Sequence, residues 1–404
     1  MGGNEVPPRG AARANTGARA IVVGGNIGGL TAAMALQRAG FDPVVLERRR
    51  DLHAAQAGGG ILLWHGAMRA LQELGLAERV EAAGVVCDRV ENCTRHGQLL
   101  RALPMNELHH SLGAPAVIIG RTNLQFALAE ALDEGVLNLG AECVDLHQDD
   151  AGVTVRLADG REERGDLAIG ADGRESLIRT KVGQPSHLPM AYTGYVVWDG
   201  VADLEHEDVP PGLLTVLWDY GIQFHSFYIE PRRLQWAVYE FGVPEHVDLP
   251  EGAKATLLRR FRDWPPAVVA LLEATEEEGI RRRVVTRGSS LTRWGEARVT
   301  LVGDGAHPLT PTLGLGGGQA AEDAAVLGRC LLADQDVVSA LRTYERMRGP
   351  RIRRIMKLQS SLDGSAATTN PLAFRLRNEA VKLVFKHPSL RRRTAFFKAM
   401  SFEA

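Results

Sequence analysis

The chain predicts an α/β fold: a Rossmann-like dinucleotide-binding domain with an inserted, mostly antiparallel β-sheet and a C-terminal helical tail. Three observations carry that prediction. Near the start, "AIVVGGNIGGLTAAMALQRAG" (Ala20–Gly40) runs from a buried apolar stretch through a glycine-rich turn into an alanine-rich helix. Between about Gln184 and Arg282 tryptophan and tyrosine concentrate, and "GYVVWDGV", "LLTVLWDYGIQFHSFYI" and "RLQWAVYEFGV" alternate like strands of an antiparallel sheet. From Val299 the βα style resumes in "VTLVGDGAHPLTPTLGLGGGQAAEDAAVLGRCLL": strand, glycine-rich loop, helix. The nucleotide domain is therefore read as discontinuous, 19–183 and 282–365, with an aromatic-rich substrate domain at 184–281 and a helical, basic tail at 366–404. Residues 1–18, rich in Gly, Ala and Pro and lacking an apolar h-region, read as a disordered leader.

The 404 residues, 45% hydrophobic and 24% charged, are enough for a sizeable core and two or so domains. A net charge of -2 gives no electrostatic case for a nucleic-acid partner. Four cysteines, Cys87, Cys93, Cys143 and Cys330, show no C-x-x-C spacing, which fits a reducing, cytoplasmic setting. No apolar run approaches the roughly 18–20 residues of a membrane span. Nor is there an H-E-x-x-H, a Cys/His cluster or a Ser/His/Asp order, so neither a metal nor a hydrolytic nucleophile is expected.

The first strand, turn and helix are followed by "FDPVVLERRR", with a second apolar strand at Val44–Leu46, completing a βαβ unit. Helices are expected at Ala67–Leu76, stopping at Gly75, and at Thr122–Leu132. A hairpin turning at Asp159-Gly160 feeds a buried strand, Leu167–Gly170. In the first turn, Gly24 makes the tight bend, Gly25 follows it, and Gly29 lets helix and strand approach closely. Asn26 stands where G-x-G-x-x-G has its second glycine; asparagine tolerates left-handed backbone, and its amide can donate toward a phosphate. Glu47 ends the second strand at the spacing of a ribose-binding acid, with Arg48 beside it, and an acid here suits FAD or NAD more than NADP.

Together, "VVGGNIGGL…VVLERR", "GDLAIGADGRESLIR" and "VTLVGDGAHPLTPTLGLGGGQAAEDA" resemble the ordered motifs of the class A FAD-dependent aromatic hydroxylases and monooxygenases. That is the p-hydroxybenzoate hydroxylase fold, and the nearest likeness is to its salicylate hydroxylase, urate hydroxylase and zeaxanthin epoxidase-like members. The resemblance implies that Asp304 holds the ribityl chain, the other reading being a helix N-cap. It implies that Gly316, Gly317 and Gly318 offer amides to the flavin pyrimidine edge, and that Arg121 lies beside the pyrophosphate rather than on the surface. Asp172 and Arg174 match a motif linked to FAD and reduced nicotinamide, although Asp172-Gly173 reads equally well as a turn. Gly58–Ala67 occupies the place of a loop against the isoalloxazine, with His65 packed or solvated. Pro308 is the expected substrate neighbour at the reactive flavin carbon, with His307 a lesser candidate base.

Substrate recognition is expected on the inserted sheet, where Tyr195, Trp198, Tyr220, Gln223, His225 and Tyr239 fall in strands. Period two puts Gln223 and His225 on one face and Phe224 and Ser226 on the other. His225 and Tyr239 are the expected pocket groups, the other reading of each being a core residue with a satisfied hydrogen bond. Asp199 follows Trp198 where relatives often carry arginine, which speaks against a benzoate-type substrate. The implied activity uses FAD, with NAD(P)H as transient co-substrate. Hydride passes to the flavin, O2 adds to form a flavin C4a-hydroperoxide, and an electron-rich aromatic, enol or alkene small molecule is hydroxylated or epoxidised. A monomer or homodimer with no nucleic-acid partner is expected. The rival readings are a redox-neutral or reductive flavoprotein of the isoprenoid cyclase or reductase type, and a flavin-binding regulatory protein without turnover.

Overall fold

The computed structural model describes residues 17–52, 59–184, 190–288, 291–386 and 401–402. The leader's residues 1–16, part of the Gly58–Ala67 loop and most of the tail beyond residue 386 lie outside the described residues.

The nucleotide half is built on a five-stranded parallel sheet. Its strands are β1 (Arg19–Val23), β2 (Asp42–Glu47), β8 (Leu137–Leu139), β12 (Leu167–Gly170) and β18 (Val299–Leu301), in the order β18-β12-β1-β2-β8. β12 and β18 are buried along their whole length and β1 beyond its first residue, as expected of parallel strands covered on both faces. Helix α1 (Ile27–Arg38) follows β1. A small sheet of β3 (Gly60–Leu63), β4 (Val85–Val86) and β7 (Val117–Gly120) stands beside it. Helices α2 (His65–Glu73), α3 (Ala77–Ala83), α4 (Met105–Leu112) and α5 (Arg121–Ala129) connect these strands. The helix expected to stop at Gly75 ends at Glu73, just before that glycine, whose φ is +72°, and α3 is a separate helix beyond it. The hairpin is present as β9 (Cys143–Gln148), β10 (Val153–Leu157) and β11 (Glu162–Gly165), leading through β12 to the short α6 (Leu177–Lys181).

The second sheet has seven strands: β5 (Arg89–Thr94), β6 (Leu99–Pro104), β13 (Ala191–Asp203), β14 (Leu213–Asp219), β15 (Ile222–Glu230), β16 (Arg233–Phe241) and β17 (Arg281–Arg287). The order is β17-β13-β16-β15-β14-β5-β6, antiparallel except where β14 meets β5. β5 and β6 come from the sequence before residue 184, so this sheet recruits strands from outside the aromatic-rich stretch. One face packs Phe224, Trp236 and Val238 against helices α7 (Ala253–Phe261) and α8 (Pro266–Glu273). Trp198 belongs to this covered face and donates to Glu240 at 2.9 Å, so it is a core residue and not part of the pocket. The opposite face looks into the cavity described below.

Three helices complete the chain: α9 (Gly316–Ala333), the 30-residue α10 (Val337–Ala366) and α11 (Pro371–Lys386). α9 packs on α1, α2 and α10. Among the described residues no helix is long and apolar enough to cross a membrane.

Candidate active site

A continuous cavity of about 740 Å³ runs between the two sheets. Its nucleotide end begins at the β1–α1 turn. Gly24 has φ +105°, and a Cβ there would lie 2.5 Å from the Ala171 carbonyl oxygen, so only glycine fits. Gly25 donates to Glu47 Oε2 at 2.7 Å, and Glu47 also accepts from the Arg49 amide and Nε, both at 2.9 Å. Burial alone would raise the Glu47 carboxyl, but the Arg49 and Gly25 donors hold it below its usual range. Glu47 is therefore an ionised acceptor fixed at the end of β2. Arg48 is exposed, and Arg49 takes the ion pair.

Asn26 corrects the reading of the fingerprint. Its backbone is extended (φ -88°, ψ -174°), not left-handed. The side chain caps α1: Oδ1 accepts from Gly28 at 3.0 Å and Gly29 at 3.3 Å, while Nδ2 donates to the Ala171 carbonyl at 2.7 Å. It stitches β1, α1 and the end of β12 together. Asn26→Gly is expected to keep flavin but lose about 1 kcal/mol of stability, the cap's small share plus one part-buried hydrogen bond. Thermal melts of the holoprotein check this, and loss of flavin from Asn26→Gly would instead make the side chain a ligand.

The rest of the cradle comes from distant segments. Asp304 sits in a single 3₁₀ turn after β18, lines the cavity and pairs with Arg174 at 3.3 Å. Arg174 also donates to the Leu309 carbonyl at 2.8 Å. Arg121, at the start of α5, reaches into the cavity, and no described carboxylate lies within ion-pair distance of it. Burial, and then the neighbouring Arg283, pull its guanidinium below the usual arginine range, opposed by Asp304. A cation enclosed by the cavity walls but open to its interior, with no counter-charge among the described residues, is the signature of a site for an anion such as a pyrophosphate. α9 begins at Gly316 with no side-chain cap, so its first-turn amides are open; Gly316 and Gly317 line the cavity. Gly318 serves packing instead, since a Cβ there would come within 2.9 Å of Ala67 Cβ on α2.

Two expectations are corrected here. The Asp172 carboxylate accepts from Ser176 Oγ at 2.5 Å and the Ile178 amide at 3.1 Å, closing the start of α6, and Asp172 does not line the cavity. Burial raises its pKa. Pro308 is buried away from the cavity, and the proline that borders it is Pro311, three residues on. The adjacent His307 is buried with Nε2 2.6 Å from Asp323 Oδ2 and Nδ1 without a partner among the described residues, and it does not line the cavity. His65 is likewise packed, its Nδ1 2.7 Å from the Ala114 carbonyl oxygen.

On the sheet wall the structure brings together Gln223, His225 and Tyr239. His225 Nε2 is 3.0 Å from Gln223 Oε1, its ring is 4.6 Å from that of Tyr239, and Tyr239 donates to the Pro311 carbonyl at 3.3 Å. Tyr195 anchors the same loop, its hydroxyl 2.8 Å from Thr312 Oγ1. Tyr220 stands apart, half-exposed against Phe374. Burial pushes His225 down to about 3 and Tyr239 up to about 12, so both are neutral at physiological pH. The sign for His225 follows: below about pH 6.5 the unfolded chain takes up a proton that the folded chain refuses, so stability falls as pH drops toward 3. In holoprotein melts from pH 8 to pH 5, His225→Gln is expected to flatten part of that acid loss.

Sequence reasoning missed Arg283. It faces the cavity from β17, ion-paired with the buried Asp199, which also accepts from Arg281 at 2.8 Å. Asp199 thus supplies a guanidinium to the wall, contrary to the expectation that its presence removes one. The signal was the alternation Arg281, Arg283, Val285 in "RRRVVTR", which places those side chains on one face.

Fold and site together define an enzyme that lays a dinucleotide cofactor along a buried substrate chamber. Among the described residues no group of three or more His, Cys, Asp or Glu could hold a metal. The chain belongs to the FAD binding domain family, whose model matches residues 18–359, and stands among its FAD-dependent monooxygenases. It is 35% identical over 334 residues to the aurachin C monooxygenase/isomerase of Stigmatella aurantiaca, covering 82% of this chain and 85% of that one. To the chloroplastic zeaxanthin epoxidase of Nicotiana plumbaginifolia it is 33% identical across 83% of this chain, spanning 53% of that protein's length. Klebsiella pneumoniae HpxO complexed with FAD and uric acid shares the fold, with a TM-score of 0.84 and 26% identity over 95% of this chain and 96% of that one.

Proposed function

We propose that the chain uses NAD(P)H and O2 to hydroxylate or epoxidise an electron-rich aromatic, enol or alkene small molecule on FAD. One observation carries this reading: a single cavity joins the Arg121–Asp304–Gly316 cradle to the sheet face bearing Gln223, His225 and Tyr239. Arg121 would meet the pyrophosphate, Glu47 the adenosine ribose and Asp304 the ribityl hydroxyls, while the α9 amides would meet the pyrimidine edge. The bound flavin supplies hydride acceptance and oxygen activation. The protein's own part is positioning and electrostatics. Neutral His225 and protonated Tyr239 offer hydrogen bonds without charge, so they orient a polar ring substituent at little electrostatic cost. Arg283, held by Asp199, adds local positive charge that favours an ionised hydroxyl on the substrate, which makes its ring carbons better nucleophiles. The apolar remainder of the wall excludes water from the reacting groups.

The four cysteines are free, which supports a reducing cytoplasmic location, and a monomer or homodimer suffices because one chain supplies every residue named. The test is a substrate screen on FAD-loaded protein, following NAD(P)H loss, oxygen uptake and product mass together. Nicotinamide oxidation is expected to need oxygen and to rise with substrate. Product made without oxygen would refute the oxygenase reading.

A further inference from the structure

The cavity wall changes character along the seven-stranded sheet. β17, β13 and β16 lie at the cofactor end, where Arg174 pairs with Asp304 and donates to the Thr286 carbonyl on β17, and Tyr239 on β16 reaches Pro311. Beyond His225 on β15 the wall is carried by β14, β5 and β6. There one row of cavity-facing side chains is aliphatic at paired positions, Leu214 on β14, Val90 on β5 and Leu103 on β6, while the neighbouring row runs from Val216 to the polar Asn92 and Arg101. Leu100 from the β6 irregularity and Phe227 from β15 add to the apolar surface. Three inter-strand spacings separate β15 from β6, about 14 Å, longer than any single aromatic ring.

Several polar groups at this end are engaged with one another, while the buried Asn92 Nδ2 has no partner among the described residues. Asn92 Oδ1 accepts from Trp218 Nε1 at 3.0 Å and from Arg101 at 3.4 Å. Arg377 of α11 lies over the Trp218 and Phe374 rings at 4.5 and 4.4 Å and donates to Asn378 at 2.9 Å and to the Ser365 carbonyl at 3.3 Å. α11 packs on β6 and so closes this end of the chamber. Beside this polar row the Leu214–Val90–Leu103 row presents hydrocarbon to the interior, and a ring-sized substrate held at His225 would leave that hydrocarbon against water.

We propose that the β14–β5–β6 end is a separate subsite for an extended apolar chain, so that the substrate is an electron-rich ring bearing an alkyl or alkenyl tail. The ring lies at His225 and Tyr239, and the tail runs between Leu214, Val90 and Leu103 beneath α11. The inference rests on the oxygenase reading for where the ring reacts, but its test reads binding alone. The probes are 4-alkylphenols from methyl to octyl, titrated into FAD-loaded protein and followed by the change in flavin absorbance. Kd is expected to fall about fourfold per added methylene, the equivalent of about 0.8 kcal/mol, before levelling off. Leu214→Trp, which fills the subsite, is expected to level off at shorter chains while keeping the wild-type flavin spectrum and 4-methylphenol affinity. A Kd that is flat or rises with chain length overturns the proposal, as does failure of every phenol to bind or a wild-type slope in Leu214→Trp. Should that variant not fold, the wild-type series decides alone. A steep series without NAD(P)H oxidation defeats only the oxygenase reading, whereas turnover of short phenols with a flat series defeats only the tail subsite.

Discussion

Gly29→Val is expected to purify without flavin. A Cβ built on Gly29 lies 1.8 Å from the Gly24 carbonyl oxygen and 3.3 Å from Ala171 Cβ. The obstacle is backbone, which cannot rotate away as a side chain would. Gly24 is itself held, its amide donating to the Leu46 carbonyl at 2.8 Å and its φ at +105°. The first turn of α1 must therefore lift from β1, carrying Asn26 with it and separating the amides of the turn from Glu47 and Ala171. Overpacking of this kind costs up to about 3 kcal/mol or more, equivalent to ~100-fold or more in FAD affinity. Gly29→Ala is expected to fail in the same way, because the Cβ alone is the offending atom. Gly364→Ala in α10, where a Cβ meets nothing within 4 Å, is the control and should be neutral or slightly stabilising. The ratio of flavin to protein absorbance after purification, and FAD titration of the apoproteins, decide the matter. A yellow Gly29→Val would mean that the β1–α1 turn is not a cofactor clamp.

Arg348→Met is expected to be the most destabilising single change away from the turn, about 3–5 kcal/mol. Arg348 is 1% exposed and donates to Asp323 Oδ1 at 2.7 Å, Glu322 Oε2 at 3.0 Å and Gln319 Oε1 at 2.8 Å. Asp323 in turn accepts from the Gly303 amide at 2.9 Å and contacts His307. One buried carboxylate thus ties α9, α10 and the Gly303–Gly305 turn that carries Asp304. Burial works against the charge on Asp323, but His307 and Arg348 more than compensate and keep its pKa below 3.8. Its contribution is therefore present above about pH 3.8 and is lost as pH falls through its lower folded value. Removing Arg348 takes a charged donor from two buried carboxylates, leaving Glu322 to Arg351 and Asp323 to His307 and the Gly303 amide. Urea unfolding followed by tryptophan fluorescence measures the loss. The double variant Arg348→Met/Asp323→Asn is expected to lose less than the sum of the two single changes, since the under-compensated carboxylate charge is the main cost. FAD affinity should also fall, because the Asp304 turn loses its anchor. Additive losses would show that the network is not coupled.

Much of the cofactor site was legible in the chain, because it depends on local chemistry. Gly24 and Gly29 are dictated by a strand-to-helix turn whose geometry is set within six residues, and Glu47 by the end of the strand that follows. Asp304, Gly316 and Gly317 were likewise placed by a strand, a loop and a helix start in sequence. Period two sorted the inserted strands into a covered face bearing Phe224 and a chamber face bearing Gln223, His225 and Tyr239.

Tertiary structure decided what such local rules cannot reach. Asn26 is a cap and a clip because the Ala171 carbonyl, 145 residues away, comes to its amide. Asp172 turned to Ser176 and Ile178 instead of the cofactor, Arg48 stands exposed while Arg49 pairs with Glu47, and Pro311 replaced Pro308 at the chamber wall. Asp199 became the support of the cavity residue Arg283 because β13 and β17 are neighbours, although the two lie far apart in the chain. The reach of the chamber came from β5 and β6 joining a sheet otherwise built a hundred residues later. The sequence by itself determined the glycine turn between β1 and α1 and the ordered motifs whose resemblance pointed to FAD, since turn geometry and helix ends are short-range properties. Which side chains face the substrate, and how far the chamber extends past the ring, was decided only when distant strands paired and distant charges found one another.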